Sequence, residues 1–77
     1  TYTREALENR VHGLAVVRCT LSTTGRVTNC RPLKSLPYMM PMIIGSLELR
    51  RYTPVIYKGK ARAVDYVFNV KLVLPRR

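Results

Sequence analysis

Two cysteines, Cys19 and Cys30, stand either side of a glycine-centred turn in VVRCTLSTTGRVTNC, between two segments that read as strands. A strand alternates its side chains between two faces, so Ala15, Val17, Cys19 and Leu21 share one face of the first strand. On the second strand the apolar set is Val27, Cys30 and Pro32, which changes parity between 27 and 30. That change requires one extra residue, a β-bulge at Thr28 or Asn29. A three-residue loop of Thr23, Thr24 and Gly25, with Gly25 in the left-handed conformation, closes on Ser22 and Arg26 and sets Leu21 opposite Val27. With the bulge, Cys19 falls opposite Cys30 and Val17 opposite Pro32. One assumption satisfies three pairings, and it predicts a cross-strand disulfide on the core side of the hairpin. A persistent bridge implies an oxidising compartment such as a bacterial periplasm or a secretory lumen. The alternatives are two buried free thiols, or a zinc site for which two cysteines and one histidine fall short of about four ligands.

At 77 residues the chain makes one domain, residues 1–77, in the size range where a single core is marginal and a staple helps. It begins at Thr1 and holds no apolar run near the roughly 20 residues of a membrane span or a signal-peptide core. The expectation is a fragment of a longer envelope protein. Pro32 cannot donate to a ladder, which puts the second strand, about 26–34, at a sheet edge and the first, about 14–22, in the centre.

The opening TYTREALENRVHG reads as a short helix, with Thr3 as N-cap, Glu5 in the first turn, Ala6, Leu7 and Val11 on one stripe, and Gly13 ending it. A second helix over about 40–51 starts at Pro41 and lays Met39, Ile43 and Leu47 on the sheet. Met40 is a poor N-cap and Gly45 weakens the interior. Ile44 and Met42 point off the stripe. A short strand at about 55–57 turns at Lys58 and Gly59 into one long strand. There Val64, Tyr66, Phe68, Val70, Leu72 and Leu74 share a face against Asp65, Asn69 and Lys71. The predicted fold is α+β. It is a three-stranded antiparallel sheet in the order second, first, last (2-1-3), with a short N-terminal helix and a right-handed crossover helix on one face. The last strand is then the other edge, about 12 residues long. Such an edge is a liability or a site for an added strand.

Fourteen Lys and Arg against four Asp and Glu give a net charge of +10, which raises the question of nucleic acid. The cations are scattered, with no helix carrying a basic stripe and no nucleic-acid motif, so no nucleic acid is expected. A general attraction for anionic surfaces remains. One aspartate, three glutamates and one histidine on different elements offer no paired carboxylates and no nucleophile with its base. His12 reads as a solvated loop residue, and the chain reads as a non-enzyme without a cofactor or metal.

The succession YTREAL, VVRCTLSTTGRVTNCRPLKS, MIIGSLELRRYTPV and YKGKARAVDYVFNVKLVL resembles the C-terminal domain of the TonB family of energy transducers, over nearly the whole chain. Within that family it looks most like the sub-group with paired hairpin cysteines found in multidomain envelope proteins of gliding and predatory bacteria. Thr3 stands where the family usually has Pro, and Met40 where it has an acidic or polar cap. The resemblance implies a periplasmic domain, anchored in the inner membrane through a region absent from this chain. Such a domain grips an outer-membrane receptor or other envelope protein and transmits force derived from the proton gradient by an inner-membrane motor. The family's grip is the exposed edge of its final strand. Carried onto this chain it comprises Ala63, Val64, Asp65, Tyr66, Val67, Phe68, Asn69, Val70 and Lys71, with Tyr66 and Phe68 assigned to the core. Arg50, Arg51 and Tyr52 match the family's Arg-Arg-aromatic element, expected to close the second helix with Tyr52 packed inward. The alternatives are an adaptor domain of a gliding-motility or secretion machine, and a basic polyanion-binding or nucleic-acid-binding module. An exposed edge also permits an edge-strand homodimer.

Overall fold

The computed structural model describes residues 2–75. In chain order these form α1 (Arg4–Glu8), β1 (Gly13–Leu21), β2 (Val27–Lys34), α2 (Met40–Glu48), β3 (Val55–Tyr57), β4 (Lys60–Arg62) and β5 (Val64–Leu72). β2, β1 and β5 make an antiparallel sheet in that order, as the α+β reading expects, while β3 and β4 pair only with each other.

The hairpin forms as its residues dictate. The Ser22 N–H donates to the Arg26 carbonyl at 2.8 Å, Gly25 has φ 82°, and Leu21 faces Val27 while Val17 faces Pro32. Three residues of β2 span the two-residue step from Thr20 to Arg18, and Asn29 absorbs the excess at φ 51°. Cys19 and Cys30 are joined in a disulfide with their Cα atoms 4.1 Å apart. A second bulge follows, since Val17 pairs with Pro32 but Val16 with Lys34. The extra residue, Leu33, is largely exposed.

Ala15, Val17, Cys19 and Leu21 are all buried, as the alternation requires, and they share one core cluster with Ile43 and Leu47 of α2 and with Met39 just before it. The opposite face of the sheet meets solvent, an arrangement open to antiparallel sheets, and there Asp65 accepts from Arg18 at 3.0 Å and from Thr20 at 3.4 Å. The Thr3 hydroxyl accepts from the Ala6 N–H at 3.2 Å and donates to the Tyr38 carbonyl at 3.0 Å. It thereby caps α1 and ties it to the approach to α2.

Four expectations are corrected. α1 ends at Glu8 with Asn9 as C-cap, because Arg10 turns left-handed at φ 54°; Gly13 opens β1 instead of ending a helix. α2 ends at Glu48 with Leu49 as C-cap, so it stops short of residue 51 and both Arg50 and Arg51 lie past its end. Its N-cap is Met39, without a side-chain capping bond. The long last strand is two strands broken at Ala63. Beyond Val64 the partner strand has ended, since Leu21 is the last residue of β1, and residues 60–62 pair with β3 instead.

Candidate functional site

β5 owes its position to β1, with which it pairs over nine consecutive residues, from Gly13 opposite Leu72 to Leu21 opposite Val64. Its backbone orientation follows from the hairpin. Ser22 hydrogen-bonds across to Arg26. With no residue inserted in β1, its even-numbered residues direct their N–H and C=O groups to β2 and its odd-numbered residues theirs to β5. In the matching register, Val64, Tyr66, Phe68, Val70 and Leu72 bond to β1. Asp65, Val67, Asn69 and Lys71 therefore turn their backbone donors and acceptors outward, where no strand of the described residues pairs with them.

The two edges of the sheet differ. β2 carries Pro32, two bulges and the left-handed Asn29, all of which break a row of donors and acceptors. The same parity sets Pro32 opposite Val17, whose backbone faces β5, so the missing N–H lies on the outer side where it costs no ladder bond. β5 has neither bulge nor proline.

Of the residues expected on this edge, Ala63 lies in the break between β4 and β5, while Val64 to Lys71 lie in β5, which continues to Leu72. Phe68 is buried at 6% exposure. Tyr66 is 52% exposed, which corrects its assignment to the core: it is not among the residues packed against the core cluster, and its ring stands edge-on to Phe68 at 4.8 Å between centroids.

On the helix side, the inner face of β5 and α2 leave an open groove of about 350 Å³ floored by Val70 and Leu72 and flanked by Met42, Ser46 and Arg50. Arg50 lies 6.0 Å from the Phe68 ring centroid and donates to the Tyr52 hydroxyl at 3.3 Å. Tyr52 stays partly exposed with its ring 5.9 Å from Phe68. The Arg50 N–H donates to the Leu47 carbonyl at the end of α2 at 3.1 Å, while the next two residues of the Arg-Arg-aromatic element turn to the hairpin. Arg51 bridges to Arg26, and the Tyr52 N–H donates to the Gly25 carbonyl at 2.9 Å. Sequence reasoning missed this cluster because two arginines after a helical stripe fit the dipole pattern equally well. The only sequence signal was a glycine in the turn, which has a second use here as the point of closest approach to Tyr52.

A second open hollow, about 470 Å³, lies at the far end of the sheet between His12, Gly13 and residues 71–74. His12 is exposed, its ring nitrogen 2.9 Å from the Arg10 carbonyl. Among the described residues no three His, Cys, Asp or Glu side chains come together to hold a metal, and both cysteines are consumed by the disulfide. No helix of the described residues is long and apolar enough to cross a membrane. The site's chemistry is that of a strand edge, which offers backbone hydrogen bonds beside an apolar groove with one cation at its rim.

No curated protein and no solved structure matches the chain. The family model for the C-terminal region of the Gram-negative bacterial TonB protein matches residues 1–74. The hairpin, the crossover helix and the strand edge described above therefore lie within the matched segment, and the chain belongs to the TonB C-terminal family, whose members are non-enzymatic periplasmic domains of energy transducers.

Proposed function

We propose that this domain binds an extended segment of an outer-membrane receptor, or of another envelope protein, as a fourth strand beside β5. Through that join it passes on force generated by an inner-membrane motor. The observation that carries this reading is the contrast between the edges. β2 is blunted by Pro32 and two bulges, whereas β5 presents four outward residues in an unbroken row. Membership of the TonB C-terminal family supports the class of partner.

The energetics suit a reversible grip. Asp65, Val67, Asn69 and Lys71 each offer one donor and one acceptor. At a net gain of about 1 kcal/mol per bond, a fully paired strand gains about 8 kcal/mol. Ordering the peptide takes back about 2–5 kcal/mol of that. Weak, exchanging association follows unless side chains in the groove add to it. Load applied along the strand axis would shear these bonds together instead of opening them one by one, so a weak join can still bear force briefly.

The test is an amide-resolved NMR titration of the oxidised domain with an extended receptor-segment peptide, at low and high salt. Shifts concentrated on residues 63–72 that persist in salt are expected, because backbone pairing is short-ranged. Diffuse shifts that vanish with salt would favour polyanion binding. Absent shifts would remove the edge grip.

A further inference from the structure

The ribbon of β3 and β4 has no part in the edge just described. Its pairs, Val55–Arg62, Ile56–Ala61 and Tyr57–Lys60, close on a Lys58–Gly59 turn with φ of 50° and 77°. Positive φ at both positions is the mark of a two-residue type I′ hairpin loop. None of its side chains is buried, with Ile56 62% and Tyr57 58% exposed. A two-stranded hairpin is marginal in water by itself, and this one leaves its largest apolar side chains beside its tip. The ribbon's own charges have one sign, and the nearest acid that follows it in sequence, Asp65, is paired with Arg18. From residue 49 to residue 64 there is no Asp or Glu, against Arg50, Arg51, Lys58, Lys60 and Arg62.

We propose that the ribbon is a tip-first anchor for an anionic lipid bilayer surface. Ile56 and Tyr57 directly precede the turn, so at about 3.4 Å per residue both lie within about 7 Å of the tip. That is the depth at which interfacial elements seat apolar groups, about 5–10 Å into the headgroup boundary. Tyrosine suits this depth because its ring is apolar and its hydroxyl stays wet. The Lys58 ammonium sits 5.4 Å from the Tyr57 ring centroid, and the flexible stems of Lys58 and Lys60 let their charges reach lipid phosphates while the tip enters. A nucleic acid would use the same cations but would leave Ile56 with nothing to bury it. Only Ala63 separates the ribbon from β5, so a seated tip would hold the free strand edge close to the membrane.

The experiment uses the 77-residue chain with Tyr57→Trp, which gives a chain without native tryptophan a single fluorescent reporter at the tip. It is mixed with phosphatidylcholine vesicles that contain or lack phosphatidylglycerol. Cosedimentation and a blue shift of the tryptophan emission with the anionic vesicles alone are expected. Each ribbon cation near the surface is worth about fivefold in partitioning, so Lys58→Asn and Lys60→Gln at the tip, with Arg62→Gln at the ribbon's base, should together weaken binding about 100-fold. The same charge removed remotely, by Arg10→Asn, Arg31→Gln and Lys34→Gln, should weaken it only a few-fold. Ile56→Ser should cost about tenfold and diminish the blue shift. Three results would each overturn the proposal: no binding to anionic vesicles, equal losses from tip and remote variants without a shift in the reporter's emission, or an equal emission shift on adding heparin.

Discussion

Gly25 and Gly59 separate two demands that a turn places on glycine, and alanine at each should give different losses. Both have positive φ, 82° and 77°, a region that costs a non-glycine residue about 1–2 kcal/mol. Around Gly59 there is nothing within 4 Å of where a Cβ would stand, so Gly59→Ala should cost about that amount or less. At Gly25 a Cβ would overlap the Tyr52 carbonyl oxygen and lie 3.0 Å from its carbonyl carbon. That neighbour is backbone and cannot swing aside. The Tyr52 segment must retreat, which removes the hydrogen bond from the Tyr52 N–H to the Gly25 carbonyl, worth about 1 kcal/mol. Retreat also loosens the packing of Tyr52 on Phe68, worth about 0.5–1.5 kcal/mol. The loss for Gly25→Ala is therefore about 3–4 kcal/mol. A domain of this size has about 4–12 kcal/mol of stability in all. Urea unfolding followed by circular dichroism measures both variants. With a slope near 1 kcal/mol per molar urea, the midpoint for Gly25→Ala should fall about 2 M below that of Gly59→Ala. Midpoints that agree within about 0.5 M would refute the close approach of Tyr52 to the turn.

Reducing the Cys19–Cys30 bridge, whose cysteines lie 11 residues apart, should cost about 3 kcal/mol in the chain-entropy model. In urea unfolding with and without reductant, a Cys19→Ala, Cys30→Ala double variant should show no difference where the native chain does. Gly45 sits inside α2 without a positive φ and with open space around its Cβ position, so Gly45→Ala should raise stability by up to about 1 kcal/mol, read as a higher urea midpoint. Asn69→Pro removes an outward N–H and should abolish peptide binding in a titration while the sheet stays intact. Val70→Pro removes a bond to β1 and should cost at least about 1–3 kcal/mol in stability. Peptide affinity unchanged by Asn69→Pro in a folded protein would remove the strand-addition reading.

What could be read from the residues depended on how many partners each position answers to. The β1 face and the disulfide register were legible because Leu21–Val27, Cys19–Cys30 and Val17–Pro32 had to be satisfied together, and one bulge did so. The second bulge was not legible, since exposed Leu33 leaves no trace of a parity change in the core pattern. The break at Ala63 escaped for a different reason. Alternation reports which face a side chain takes but not which strand lies beside it, and the pattern runs through a point where β3 replaces β1 as partner. Tyr66 shows the same gap one level up, because a residue can share the core face of a strand and still lie outside the packed cluster.

The candidate site adds a further asymmetry. The protected edge announces itself in the sequence, because Pro32 and the parity slip before Cys30 are positive marks of a strand that cannot extend the sheet. The open edge is defined by lacking such marks, so the residues gave it only indirectly, through the strand order that Pro32 implies, and the Ser22–Arg26 bond then fixes which of its amides point outward. Parity then gives the reading its sharpest form. Proline at 67, 69 or 71 should disturb recognition first and folding second, while proline at 66, 68 or 70 should do the reverse. If the two sets exchanged roles, β5 would face β1 with its other row of amides, and the outward row described here would be wrong.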